Sequence, residues 1–169
     1  VYDVTVRASD GNGGTTDQAV AITVTNLSET RSLVPNGDFA DGADDWDSAG
    51  NVSFAGGDGL MIAEDATNGE IEDFFGLARG TFDDVLSDDV GSPQNVRNGA
   101  AIKAENDITL TETSTLQFDY ALTSDDLMSA DDFDALFLII DSDVHVVART
   151  GSAELAGTYE ITLAAGTYS

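Results

Sequence analysis

The stretch Thr115-Leu116-Gln117-Phe118-Asp119-Tyr120-Ala121-Leu122-Thr123 alternates side chains with a period of two. That period sets Leu116, Phe118, Tyr120 and Leu122 on one face of a strand and Gln117, Asp119 and Ala121 on the other. Strand signals continue on both sides of it. Upstream, Ala100–Lys103 leads through Asn106-Asp107 to Ile108-Thr109-Leu110. Downstream, Phe133–Ile140 is almost uninterrupted apolar sequence, the pattern of a strand buried on both faces. Asp141-Ser142-Asp143 reads as a turn, after which Val144, Val146 and Ala148 resume the alternation. Tyr159–Leu163 and Ala164–Tyr168 close the series. The expected fold class is all-β, an antiparallel β-sandwich.

Earlier segments carry shorter signals. Val52-Ser53-Phe54 and Leu60-Met61-Ile62 read as short strands around a Gly56-Gly57-Asp58-Gly59 turn. Ile71–Leu77 fits either a strand or a helical turn. Phe82–Leu86 fits one helical turn, with Thr81 as its N-cap and acids near its N-terminus. Ser87–Asn98 reads as a long polar loop, either solvated or holding a cation through Asp88, Asp89, Asn95 and Asn98. Trp46, the sole tryptophan, is either a core residue or a sugar-stacking platform. At the start, Tyr2, Val4, Val6 and Ala8 alternate, as do Val20, Ile22 and Val24, around the Ser9–Gly14 turn. Residues 1–25 are thus expected to form a β-hairpin. A lone hairpin is marginal in water, so it should complete a sheet whose other strands lie outside the chain, or pair with another chain.

Composition limits the functions. Thirty-two Asp and Glu stand against six Lys and Arg, a formal net charge of −26. Such self-repulsion destabilises a compact state unless cations screen or bind it. Two explanations follow: calcium held by clustered carboxylates, or general acidity that keeps a protein soluble in salt. The same charge argues against nucleic-acid and anionic-membrane partners. No stretch approaches the length of a membrane-spanning helix, so direct membrane insertion is not expected.

Little in the sequence suggests catalysis. There is no cysteine, and the one histidine, His145, sits among alternating valines. Zinc, copper and Ser-His-Asp chemistry therefore lack their usual residues. Acid pairs abound (Asp44-Asp45, Asp83-Asp84, Asp88-Asp89, Asp125-Asp126, Asp131-Asp132), but they fall in loops or near strand ends. Carboxylate catalysts instead need pockets that raise one pKa. Asp125, Asp126, Asp131 and Asp132 flank one short loop and form the densest late cluster, a candidate calcium site. No enzyme activity is expected.

Three runs resemble known families. Tyr2–Gly14 (with its Ala8-Ser9-Asp10 step) followed by Ala19–Asn26 resembles the last two strands of a bacterial cadherin-like repeat. The resemblance implies that Asp10 binds calcium shared with a preceding repeat; the residue-level alternative is a turn-stabilising side chain. It also implies calcium at the following linker, Asn26-Leu27-Ser28-Glu29, where Glu29 is the candidate ligand and the family's full Asn/Asp set is absent. Next, Leu33-Val34-Pro35-Asn36-Gly37-Asp38-Phe39, with Asp41-Gly42 and Asp44-Asp45-Trp46, resembles the opening of a galactose-binding or carbohydrate-binding-module jelly roll. That implies a structural calcium with Asp38 and Asp41 as ligands and Asn36 as a lesser candidate, and Ala40 replaces the family's Glu. Finally, the Ala-Ile-Lys, Leu-Gln-Phe-Asp-Tyr, Asp-Asp-Phe-Asp-Ala-Leu-Phe and Ala-Gly-Thr-Tyr runs are similar to jelly-roll domains of secreted and surface-anchored bacterial proteins.

These resemblances imply residues 1–26 as the end of an Ig/cadherin-like sandwich, 27–32 as a linker and 33–169 as a jelly roll lacking its last strands. The expected setting is extracellular or at the cell surface. The expected role is a structural or adhesive module whose partners are neighbouring domains or subunits. A glycan-binding module and a filament subunit built by strand addition are the alternatives.

Overall fold

The computed structural model describes residues 2–9, 13, 15–22, 32–124, 134–151 and 154–169. The chain divides into two units, Val1–Arg31 and Ser32–Ser169. In the first, β1 (Tyr2–Ser9) and β2 (Thr15–Ile22) pair antiparallel over their full eight-residue lengths, Tyr2 opposite Ile22 and Ser9 opposite Thr15. The hairpin is therefore formed within the chain.

The second unit is mostly β, as expected, but it also holds two helices. Its strands are β3 (Trp46–Ala49), β4 (Asn51–Ala55), β5 (Asp58–Ile62), β6 (Ala66–Thr67), β7 (Asn98–Gly99), β8 (Ala101–Ala104), β9 (Ile108–Leu110), β10 (Ser114–Leu122), β11 (Asp134–Ile140), β12 (Asp143–Thr150), β13 (Leu155–Leu163) and β14 (Gly166–Tyr168). They pair antiparallel as two-stranded ladders: β3 with β8, β4 with β5, β6 with β7, β9 with β14, β10 with β13 and β11 with β12.

The stretch that dominates the sequence becomes β10, and its alternation is met. Half-buried Leu116, Phe118 and Tyr120 face one side while Thr115, Gln117 and Asp119 are exposed. Across the ladder Phe118 lies opposite Tyr159 with ring centroids 5.6 Å apart. Tyr120 lies opposite Gly157, where a Cβ would come within 2.9 Å of the phenol oxygen, so the missing side chain makes room for the ring. β11 is half-buried at every position, consistent with its continuous apolar sequence. The β4–β5 turn uses Gly56 and Gly57, both at positive φ (68° and 90°), the backbone a two-residue hairpin turn of type I′ requires.

The helices settle one open reading and correct the reading of α2 and the loop after it. Ile71–Leu77, left open between strand and helix, lies largely in α1 (Asn68–Phe75). Thr67 caps it: the Thr67 hydroxyl accepts from the Glu70 amide, and the Glu70 carboxylate accepts from the Thr67 amide at 2.8 Å. This capping box satisfies amide donors that a helix start leaves unpaired. α2 (Thr81–Val90) is longer than the single turn expected, and its N-cap is Gly80 at φ 88°, not Thr81. The Thr81 hydroxyl instead donates back to the Ala78 carbonyl. Ser87–Val90 of the expected loop continue this helix, and the loop proper begins after the left-handed Gly91.

Packing centres on the helices. Ala66, Ile71, Phe82 and Ala101 are buried together, with Phe137, Ile139 and Val144 of the β11–β12 ladder against them. Phe82 of α2 meets Phe137 at a centroid separation of 4.9 Å. Burying a phenylalanine of this kind stabilises by about 1.5–3 kcal/mol.

Candidate functional site

Two local constructions hold the acids that matter most. The first is the opening turn, Val34–Trp46, where Asn36 is the hub. Its side-chain oxygen accepts from the Asp41 amide at 3.1 Å, and its side-chain nitrogen donates to the Gly42 carbonyl at 3.0 Å and the Asp44 carbonyl at 2.6 Å. Its own carbonyl accepts from the Trp46 indole N–H at 3.0 Å and from the Phe39 amide at 3.0 Å. Asn36, Phe39 and Asp45 all sit at positive φ (42°, 51° and 68°). That conformation disfavours most L side chains but is most easily tolerated by Asn and Asp. Phe39 bridges Trp46 and Phe54, at 5.2 and 5.4 Å between centroids.

The Asn-Gly-Asp-Phe…Trp motif is therefore a self-contained turn. Trp46 is half-buried against Phe39 with its N–H committed to backbone, the packing role rather than an open platform. Both expected calcium ligands of this turn, Asp38 and Asp41, are exposed. Asp38 accepts from the Ala40 amide at 3.4 Å, a turn-forming contact. Among the described residues no group of three or more His, Asp or Glu is placed to hold a metal. Asp10, Glu29, Asp125, Asp126, Asp131 and Asp132 lie outside the described residues.

The second construction is the α1–α2 junction. Glu72 is 1% exposed, the single fully buried side chain among the described residues. One carboxylate oxygen accepts from the Gly80 amide at 3.0 Å and the other from the Phe82 amide at 3.1 Å. Burying a charge is costly unless it is hydrogen-bonded, and here both oxygens are. The acceptors also face the positive end of the α2 dipole. Glu72 thus supplies from α1 the cap that Gly80 has no side chain to give. Alongside, one Asp83 oxygen accepts from the Val96 amide at 2.7 Å and the Asn68 amide group at 3.3 Å. Arg79 forms a two-point ion pair with Asp73, its Nε at 3.1 Å from one oxygen.

The Glu70 carboxyl is held below its ordinary value by the Thr67 amide first and the Thr67 hydroxyl second, with desolvation opposing and Arg79 adding attraction. His145 lies half-buried on β12 opposite Leu138. Asp88 and Asp89, expected in a loop, lie on α2, and Asp89 pairs with Arg149 of β12 at 3.0 Å.

Sequence reasoning missed Glu72 altogether. The signal was present: Glu72 sits on the apolar face of a helical pattern with Ile71 and Phe75, and an isolated acid there must find donors. The arrangement suits structural fixation, since the carboxylates and amides nearest the core are spent on one another. No protein-family model matches the chain, and neither a curated protein nor a solved structure shows significant similarity to it.

Proposed function

We propose that the chain is a structural or adhesive module of a large extracellular bacterial surface protein, calcium-stabilised, with Ser32–Ser169 forming an antiparallel sandwich of the jelly-roll type. The observation that carries this reading is the pattern of local closure. Each ladder is antiparallel, and loops are fastened by side chains onto neighbouring backbone, as at Asn36, Glu72 and Asp83. A serial module that transmits load benefits from such closure. The −26 charge supports the calcium element, because divalent cations relieve repulsion that local hydrogen bonds cannot.

Thermal melts of the chain in Ca²⁺ and in chelator, at one ionic strength, test the calcium element. The midpoint should rise by several degrees in Ca²⁺; coincident midpoints leave general acidity as the explanation. A glycan array run in parallel tests the module reading, which saturable binding of one sugar class would replace with carbohydrate recognition.

One observation favours the filament alternative. Among the described residues β1 and β2 pair only with each other, which leaves two open edges of the kind strand addition uses. Microscopy of the concentrated chain separates the readings, since ordered filaments lost on deleting residues 1–25 would support assembly through this hairpin.

A further inference from the structure

The β4–β5 hairpin breaks the patterning rule that the outward positions of the β10–β13 ladder obey. On β10 the outward positions carry Thr115, Gln117, Asp119 and Ala121, and on β13 Thr158, Glu160 and Thr162. Outward positions of β5 carry Leu60, 56% exposed, and Ile62, 39% exposed. They are two residues apart and share a face. The opposite face is already occupied, because Phe54 stacks on Phe39 and Gly59 lies 3.4 Å (as a Cβ) from the Phe39 ring. β5 pairs only with β4, so among the described residues its other edge has no strand partner. Exposed acids flank the apolar pair: Asp58 on the same face of β5, and Glu64 in the turn that follows the strand. The surrounding sequence deepens that sign, since residues 32–78 contain eleven Asp and Glu and neither Lys nor Arg.

We infer that β5 is a docking strip for an extended basic segment of another protein, which adds as a strand to its open edge. Alternate apolar side chains of that segment cover Leu60 and Ile62, and its cations face Asp58 and Glu64. Charge complementarity selects this occupant. A second copy of the chain would bring another 26 net negative charges to an already acidic face. Strand addition supplies affinity through main-chain hydrogen bonds and specificity through every second side chain. The strip lies wholly within the Ser32–Ser169 unit and involves no metal, so it stands or falls separately from the calcium-stabilised module reading.

The test uses the full chain and a fluorescein-labelled peptide, Lys-Thr-Val-Thr-Val-Thr-Lys, followed by anisotropy at fixed ionic strength. A control peptide of equal composition, Lys-Thr-Thr-Val-Val-Thr-Lys, keeps the charge but loses the alternation. The double variant Leu60→Thr/Ile62→Thr keeps the charge of the protein, and Trp46 fluorescence verifies its fold. The alternating peptide should bind the parent chain about ten-fold more tightly than the control does, and the double variant should lose that margin. Absence of binding would overturn the inference. So would equal binding by the double variant, which would mean charge alone, or self-association of the parent chain abolished in the variant, which would mean a second copy.

Discussion

Replacing Glu72 tests whether the α1–α2 junction is held as the geometry implies. In Glu72→Ala the Gly80 and Phe82 amides, 3.0 and 3.1 Å from the carboxylate, lose their acceptors. A buried donor left unpaired costs about 1–3 kcal/mol. Phe82 is itself buried, so water cannot readily replace the acceptor there, whereas Gly80 lies nearer the surface. Taking about 2 kcal/mol for the Phe82 amide and about 1 kcal/mol for the Gly80 amide gives roughly 3 kcal/mol. Loss of the favourable charge at the α2 N-terminus adds about 0.5 kcal/mol. Removing a full-size buried carboxylate also removes its own desolvation cost, which offsets part of the total. The expected net loss is therefore about 2–3 kcal/mol.

Glu72→Gln is the informative partner. It keeps one oxygen and places an amide group against the second N–H, so it should cost about half as much as Ala. Urea unfolding followed by Trp46 fluorescence measures both, since Trp46 is the lone tryptophan and lies in the same unit. For a unit of this size each kcal/mol shifts the thermal midpoint by about 2–4 °C, so Glu72→Ala should melt about 5–10 °C lower. A loss below about 0.5 kcal/mol for Ala, the level of an ordinary surface substitution, would refute the reasoning. A Gln variant as damaging as Ala would show that the charge matters rather than the two acceptors.

Two other predictions concern local fastenings. Asn36→Ala removes three side-chain hydrogen bonds and forces a β-carbon residue less tolerant of φ 42° into the turn. It should cost about 2 kcal/mol and red-shift Trp46 emission, with Asn36→Asp comparably harmful because its carboxylate would face the Gly42 and Asp44 carbonyls; unchanged emission would remove Asn36 as the hub. Glu70→Gln should lower stability at neutral pH. Because the folded pKa of Glu70 is depressed, its contribution is fully present above the ordinary value of 4.5 and is lost as pH falls through the lowered folded value. The melting difference between parent and variant should therefore close in acid, and a difference that persists unchanged below that window would contradict the capping box.

The legible parts of the fold are those with local rules. β10 was readable because Leu116, Phe118, Tyr120 and Leu122 repeat every two residues, and the β4–β5 turn because Gly56-Gly57 follows a short apolar run. The helices were harder. Ile71–Leu77 is short enough for its apolar residues to satisfy either period, and the deciding feature is the Thr67–Glu70 capping box, which lies just upstream of the segment in question. Thr81 was misread as a cap because a hydroxyl before an apolar run is the common signal. The N-cap here is a left-handed glycine whose missing side chain is replaced by Glu72, eight residues upstream. The sequence shows an acid on an apolar helical face, but which amides it meets depends on tertiary placement.

The acids themselves call for a different weighing from the one composition invites. Charge alone offers cation binding or bulk solvation as the two uses of a carboxylate in this chain. The structure adds a third, in which carboxylates accept from backbone amides: Glu72 from Gly80 and Phe82, Asp83 from Val96, Glu70 from Thr67, and Asp141 from Ser169. Each of these bonds is charge-assisted and about twice as strong as a neutral one. Each also closes a loop or helix end without needing a large core, and the core is small, with Glu72 as its one fully buried side chain among the described residues. An Asp-rich sequence can thus gain stability from the same groups whose repulsion lowers it. The balance depends on where each acid sits: buried Glu72, aimed at amide donors, is least sensitive to salt, while the exposed acids, Asp38 and Asp41 included, are the part on which calcium or ionic strength can act.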